Sequence, residues 1–171
     1  MTQKIFTIGN ILTLSNLTCG LTALALIINR DLWLACLFLL LGVVFDFFDG
    51  KIAKRLKQSS DVGIELDSLA DMVTFGVVPP VLVIAFHTGS NGIFPLWLML
   101  PALAFTYSSI WRLAKYNVQR DKSYFLGMPT TMNGIFLPAI YFFGAADFMW
   151  IYLVVAAVLM NLPVQLPNWG R

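Results

Sequence analysis

Residues 37–50 read Leu-Phe-Leu-Leu-Leu-Gly-Val-Val-Phe-Asp-Phe-Phe-Asp-Gly, an apolar run that is closed by two aspartates. A second pair, Asp67 and Asp71, opens the apolar run that comes next in the chain. An ionised carboxylate costs roughly 2.5–3.5 kcal/mol at the centre of a membrane helix and less near the interface. Each pair of aspartates is therefore predicted to lie at the end of a membrane helix.

The composition of the whole chain agrees with a membrane location. Of the 171 residues, 58% are apolar and 12% are charged, with a net charge of +2 and a mean hydropathy of +0.78. A soluble domain has about 45–50% apolar and about 25% charged residues. These values exclude a soluble globule as the main interpretation, and they also exclude a disordered chain or one with a nucleic-acid partner.

Charged and turn-forming clusters divide the sequence into six apolar segments, and a membrane-crossing helix needs about 20 residues. The segments run over approximately 9–28, 32–50, 66–86, 93–112, 127–144 and 148–165. With a cytoplasmic N-terminus, ten of the eleven basic residues face the cytoplasm and only Arg30 lies outside, as the positive-inside rule expects. The sequence predicts an all-α integral membrane protein with six transmembrane helices and both termini cytoplasmic. Residues 1–171 are predicted to form a single domain.

Acidic and small residues share one stripe on each of two predicted helices. The stripes contain Asp46, Asp49, Gly50 and Ala53 on one helix, and Gly63, Asp67 and Asp71 on the other. If the stripes face each other, four carboxylates meet, and like charges repel unless cations separate them. Mg²⁺ and Mn²⁺ are suitable cations because they prefer oxygen ligands. The small residues leave room for a bulky ligand beside such ions.

Basic residues follow the first aspartate pair at Lys51, Lys54, Arg55 and Lys57. They can hold phosphate, or they can be ordinary positive-inside anchors. Carboxylates, divalent ions and phosphate-holding cations together suit chemistry at a phosphoryl group, where catalysis is mostly positioning and charge neutralisation. Two alternatives for the aspartates stay open, namely solvated helix ends and the ion path of a cation transporter.

The segment from Asp46 to Asp71 has the pattern D-x2-D-G-x2-A-K-x8-G-x3-D-x3-D. This pattern resembles the signature of the CDP-alcohol phosphotransferase family, D-x2-D-G-x2-A-R-x8-G-x3-D-x3-D. Lys54 stands where the family usually has arginine. The contact with a pyrophosphate is therefore expected from Lys54, from Arg55, or from both.

Other stretches resemble the branch of this family that makes phosphatidylserine. They are Asn10 to Gly20, similar to N-x2-T-x2-N-L-x-C-G; Glu65 to Pro79, similar to E-L-D-S-x-A-D-x-V-x-F-G-x-x-P; Arg112 to Asn117, similar to R-x-A-R-F-N; and Gly127 to Pro129, similar to G-L-P. In the third stretch, Lys115 and Tyr116 replace an arginine and a phenylalanine.

The resemblance implies an integral-membrane enzyme, usually a homodimer, with a polar active-site cavity that faces the cytoplasm. The expected reaction transfers the phosphatidyl group of CDP-diacylglycerol, or of an ether-lipid equivalent, to L-serine and releases CMP. Glycerol 3-phosphate or an inositol phosphate is the alternative acceptor.

The resemblance also implies roles for particular residues. Two divalent metal ions, Mg²⁺ or Mn²⁺, are expected on Asp46, Asp49, Asp67 and Asp71. Asp71 is also the expected general base. The expected CDP-lipid contacts are Asn10, Thr13, Gly50, Ala53, Lys54, Arg55 and Gly63.

An acceptor serine needs a cation for its carboxylate and a hydrogen-bond acceptor for its ammonium group. Arg112, Lys115 and Asn117 end the fourth segment, and Thr130 and Thr131 begin the fifth, so both groups can face the metal site. As alternatives, the two basic residues are topology anchors, and the other three residues cap helices or form turns.

Overall fold

The computed structural model describes residues 8–55, 61–89, 92–118, 124–162 and 165–167, with the side chains of 53–55, 61, 124–126 and 165–167 excepted. The helices are α1 (Ile8–Ile28), α2 (Leu32–Arg55), α3 (Asp61–Asp71), α4 (Val78–Thr88), α5 (Met99–Val118), α6 (Asn133–Phe142) and α7 (Met149–Asn161). Two short strands, β1 (Tyr124–Leu126) and β2 (Gln165–Pro167), pair in antiparallel fashion.

The first two helices pack against each other as a hairpin. Arg30 turns the chain between them with a positive φ of 64°. The Asp31 carboxylate accepts a hydrogen bond of 3.2 Å from the backbone N–H of Leu34 in the first turn of α2. The Arg30 guanidinium donates to the Ala85 carbonyl of α4 over 2.7 Å. These contacts hold three helices together at the ends opposite the aspartates.

The third long helix consists of α3, a π-helical segment (Met72–Val77) and α4. Pro79 and Pro80 lie in the first turn of α4, where a missing backbone N–H is tolerated best. In an unbroken α-helix, the N–H of residue 80 would donate to the carbonyl of Gly76. The Thr106 hydroxyl donates to that carbonyl instead, over 3.4 Å. The π-helical segment therefore lies between Asp71 and the two prolines.

The last three helices are each preceded by a 3₁₀ turn, at Leu96–Leu98, Thr130–Met132 and Ala146–Phe148. The chain enters the second of these turns through Gly127, which has a positive φ of 68°. A Cβ atom at Gly127 would overlap the Met160 carbonyl, and the Met128 N–H donates to the Leu159 carbonyl over 3.1 Å. The connection before Thr130 is therefore fixed on the end of α7.

Large apolar side chains lie both inside and outside this helical assembly. Phe75 and Phe105 are fully buried, whereas Ile28, Leu100 and Phe143 are 80%, 77% and 87% exposed. Extended apolar surface of this kind is uncommon on soluble monomers and typical of contact with lipid. The exposed side chains therefore agree with the membrane location that the composition predicts.

Within the part of the chain that the structure describes, three helices are long and apolar enough to cross a membrane, namely Ile8–Ile28, Leu32–Ile52 and Val62–Thr88. The last three predicted segments correspond to α5, α6 and α7, which do not combine the length and the hydropathy of the first three. Ala146–Asn161 is apolar but shorter. The helical class is confirmed, and six crossings stay a prediction. The strand pair is a short addition to this helical fold that the sequence analysis did not predict, because three-residue strands leave no alternation that a sequence could reveal.

Candidate active site

The four aspartates of the predicted stripes come from two helices that face each other. Asp46 and Asp49 lie one turn apart on α2, and Asp67 and Asp71 lie one turn apart on α3. One carboxylate oxygen from each of Asp46, Asp49 and Asp67 lies within 4.8 Å of the others. The side chain of Asp71 is buried and contacts that of Asp46. The structure thus brings together all four carboxylates that the spacing groups.

Helix α1 contributes hydrogen-bond donors to this aspartate cluster, by which we mean Asp46, Asp49, Asp67 and Asp71. The Thr13 hydroxyl donates to Oδ2 of Asp49 over 2.8 Å. The Asn16 amide donates from Nδ2 to Oδ1 of Asp71 over 3.1 Å. Asn10, one turn earlier on the same helix, is also buried.

Asn16 is the residue of this site that the sequence analysis did not assign. The available signal was its spacing, because Asn10, Thr13 and Asn16 recur every three residues inside an apolar helix. Residues at this spacing lie close to one face of a helix, and polar groups within a membrane helix need partners.

A buried cation also interacts with the cluster. Arg112 of α5 is only 7% exposed. Its charge attracts both Asp46 and Asp71, and its Nη1 donates to the Thr130 hydroxyl over 2.7 Å. Thr131 contacts Asp46. Of the five residues predicted for the serine site, Arg112 and Thr131 therefore border the aspartate cluster, and Thr130 is joined to it through Arg112.

The other two residues predicted for that site make contacts elsewhere. Asn117 accepts a hydrogen bond from Ser68 over 3.1 Å and donates to Glu65 over 3.4 Å, so it joins α5 to α3. The Lys115 ammonium lies 5.6 Å from the ring centroid of Trp111, on an exposed part of α5. A role of either residue in binding serine stays a prediction.

The small residues predicted to line a ligand site differ in what the structure describes of them. A Cβ atom at Gly50 would meet no atom of the described residues within 4 Å, so open space adjoins Asp49 in the described part of the chain. Gly63 is half-buried near the start of α3. Ala53, Lys54 and Arg55 belong to α2, but their side chains lie outside the described residues.

Lys51 is a neighbouring basic residue whose position the structure does describe. Its ammonium lies 4.0 Å from the ring centroid of Phe47, and both residues are exposed. A cation held over an exposed aromatic ring fits an anchor at the membrane surface.

Comparison with known proteins assigns the chain to a family. The family described as CDP-alcohol phosphatidyltransferase matches residues 6–162. The chain belongs to this family. A CDP-diacylglycerol–serine O-phosphatidyltransferase of Bacillus subtilis is 38% identical over 163 residues, which cover 94% of this chain and 89% of the relative. Proteins of the same name from Saccharomyces cerevisiae and Methanocaldococcus jannaschii are 42% and 30% identical, over 56% and 79% of this chain and 37% and 60% of their own lengths.

The donor set of this CDP-alcohol phosphatidyltransferase fits a hard divalent cation. Three carboxylates from two helices converge, and carboxylate oxygens are the ligands that Mg²⁺ and Mn²⁺ prefer. Oδ1 of Asp67 is buried and has no hydrogen-bond partner among the described residues. A buried oxygen without a donor is costly, and a cation would supply the missing interaction. The cluster can therefore hold metal.

Proposed function

We propose that this protein transfers the phosphatidyl group of CDP-diacylglycerol, or of an ether-lipid equivalent, to the hydroxyl of L-serine and releases CMP. The observation that carries this proposal is the meeting of four carboxylates with the buried Arg112. It occurs in a chain that is 38% identical over 94% of its length to a serine O-phosphatidyltransferase. The carboxylates and Arg112 suit the phosphoryl chemistry, and the similarity to that relative supports serine as the acceptor.

Two divalent ions, Mg²⁺ or Mn²⁺, are held by Asp46, Asp49 and Asp67 with Asp71. When bound, they neutralise charge on the pyrophosphate of the CDP-lipid. Thr13 holds Asp49 in place through its 2.8 Å hydrogen bond. The open space at Gly50 takes part of the CDP-lipid, together with Asn10, Gly63 and the segment that contains Ala53, Lys54 and Arg55.

Asp71 accepts the proton of the serine hydroxyl. The serine oxygen then forms a bond with the phosphorus on the lipid side, and the bond from that phosphorus to the CMP oxygen breaks, so that CMP leaves with the electron pair. Asp71 suits this role because it contacts Asp46 at the cluster and is attracted by Arg112. Arg112, Thr130 and Thr131 receive the serine, with the guanidinium paired to the serine carboxylate.

The proposed setting is a multi-pass protein with six crossings, both termini in the cytoplasm and the aspartate cluster open to that side. Residues 1–171 act as one domain, and two copies form a homodimer. The ten-to-one distribution of basic residues supports the orientation.

The function is tested by incubating purified protein in detergent micelles with CDP-diacylglycerol, one divalent metal at a time and a panel of acceptor alcohols, while CMP is measured. We expect CMP release to require both serine and either Mg²⁺ or Mn²⁺. Release with glycerol 3-phosphate or an inositol phosphate, and none with serine, would overturn the acceptor. Metal flux into liposomes without any CMP release would overturn the enzyme assignment.

Replacing Arg112 with alanine tests the serine site. We expect the KM for serine to rise by about 10- to 100-fold, because a hydrogen bond to a charged group contributes about 1.5–3 kcal/mol. The KM for CDP-diacylglycerol should change little. Lys115→Ala is the comparison, because that side chain lies over Trp111 on the exposed part of α5. If the KM for serine is unchanged in Arg112→Ala, Arg112 does not bind serine and is a topology anchor.

A further inference from the structure

Asn16 is a polar residue in the middle of an apolar helix, and it is fully buried. Its side-chain amide donates to Oδ1 of Asp71 over 3.1 Å. Its backbone carbonyl accepts a hydrogen bond of 3.2 Å from the Thr74 hydroxyl. Asn16 is therefore bonded to α3 and to the π-helical segment that follows it, at residues three positions apart.

The helices approach each other closely around this contact. A Cβ atom at Gly20 would overlap the Thr74 hydroxyl. A Cβ atom at Gly42 would lie 3.0 Å from Cγ2 of Thr74 and 3.1 Å from Oδ1 of Asn16. Small residues allow membrane helices to approach closely enough for such contacts. Gly20 and Gly42 thus allow α1 and α2 to pack closely against Thr74, and Gly42 also allows α2 to pack closely against Asn16.

The contact also spans a change in helix type. Asp71 is the last residue of α3, and Thr74 lies inside the π-helical segment that begins at Met72. Single π-helical turns within α-helices occur frequently at functional sites. The Asn16 contacts hold the residue that precedes this irregular turn and one residue within it, so they restrain the direction of the Asp71 side chain.

The orientation of the Asn16 amide follows from charge. Its Nδ2 faces the Asp71 carboxylate, and its Oδ1 is buried without a hydrogen-bond partner among the described residues. The reverse orientation would place two oxygens against each other, since the amide oxygen only accepts hydrogen bonds. An unpaired buried oxygen is unfavourable for stability. An apolar side chain of similar size would avoid it, so packing alone does not account for asparagine here.

We infer that Asn16 is a positioning residue that fixes the rotation of the Asp71 carboxylate toward the aspartate cluster. The inference rests on the proposed function, in which Asp71 accepts the serine proton. Because Asn16 donates a hydrogen bond to Oδ1 of Asp71, the Asp71 carboxylate keeps one orientation toward Asp46. Asn16 itself takes no part in bond making.

The test compares Asn16→Leu, which keeps the branching and the number of heavy atoms of the side chain and removes the donor, with Thr18→Val on the exposed face of the same helix. We expect kcat to fall about 10- to 100-fold in Asn16→Leu, because a misplaced reacting group loses that much rate. The KM for CDP-diacylglycerol should stay within about threefold, since the amide contacts Asp71 rather than the open space at Gly50. Thr18→Val should match the unmodified protein.

A second readout needs no turnover. Mn²⁺ is titrated into the protein without substrates, and free Mn²⁺ is followed by electron paramagnetic resonance. We expect its affinity to fall about tenfold in Asn16→Leu, because residues that orient metal ligands have effects of this size. If the unmodified protein released no CMP with serine, the proposed function would fail, while this titration would still decide the role of Asn16.

The inference is overturned if kcat and Mn²⁺ affinity in Asn16→Leu stay within about threefold of the Thr18→Val values. It is also overturned if only the KM for CDP-diacylglycerol rises, because that result would make Asn16 a ligand contact. Should Asn16→Leu fail to fold, Thr74→Val decides, since it removes only the hydroxyl that holds the Asn16 carbonyl. There we expect kcat to fall about threefold, and an unchanged kcat counts against the inference.

Discussion

Replacing Asp71 with asparagine is expected to reduce CMP release by about 100- to 10,000-fold, the usual contribution of a general base. Asparagine keeps the size of the side chain and an oxygen that accepts the 3.1 Å hydrogen bond from Asn16. It cannot accept the serine proton. Binding of CDP-diacylglycerol should stay within about threefold, because Asp46, Asp49 and Asp67 still converge. Turnover is measured as CMP release, and lipid binding by equilibrium titration in detergent.

The matched control for this change is Asp147→Asn. Asp147 is an exposed aspartate in the 3₁₀ turn before α7, so its replacement removes the same charge away from the cluster. We expect activity and lipid binding to remain normal there. Near-normal turnover in Asp71→Asn would contradict the assignment of the base. A parallel loss of lipid binding would instead make Asp71 essential for holding the substrate.

Spacing alone was enough to place the aspartates as two pairs on two helix faces, whereas a single site made of all four was what the family resemblance implied. Residues three or four positions apart share a helix face, so the spacing indicates the face on which each carboxylate lies. Each pair also adjoins an apolar run, so the sequence indicates that each carboxylate lies near the end of a membrane helix. The open space at Gly50 was predictable for a similar reason, because a missing side chain on the same stripe leaves room. Both predictions depend only on the regular spacing of residues within one helix.

The contacts of α1 could not be predicted in the same way. Asn16 meets Asp71 only because α1 has one particular rotation and height against α3, and that register depends on close packing at Gly20 and Gly42. The π-helical segment adds a further rotation after Asp71. Neither the register nor the irregular turn leaves a periodic signal in the sequence.

Residues of the predicted serine site that are close in sequence make different contacts in the structure, and a role of Asn117 in binding serine stays a prediction. Arg112 and Asn117 end the same helix, but five residues correspond to a rotation of about 140° around its axis. Arg112 consequently faces the cluster, whereas Asn117 bonds to Ser68 and Glu65 of α3. Thr130 and Thr131 reach the site through the turn at Gly127, whose docking on α7 the sequence did not reveal.

Replacing Gly50 with leucine is expected to weaken CDP-diacylglycerol binding by at least about 100-fold without loss of folding. Gly50 lies inside α2 next to Asp49, and a Cβ atom there would come within 4 Å of no atom that the structure describes. A leucine therefore enters open space, and the helix gains about 0.5–1 kcal/mol because leucine forms helices better than glycine. Thermal unfolding in detergent should show an unchanged or higher midpoint, while lipid titration shows the loss.

The separation of folding from binding is what makes the Gly50 change informative. Ala104→Leu, on the exposed face of α5, places the same leucine side chain on another helix and should leave lipid binding unchanged. If Gly50→Leu bound CDP-diacylglycerol normally, the space beside Asp49 would not be part of the lipid site. If its unfolding midpoint fell, the space would be needed for packing between protein elements. Loss of lipid binding at full stability is the result that only a ligand in that space explains.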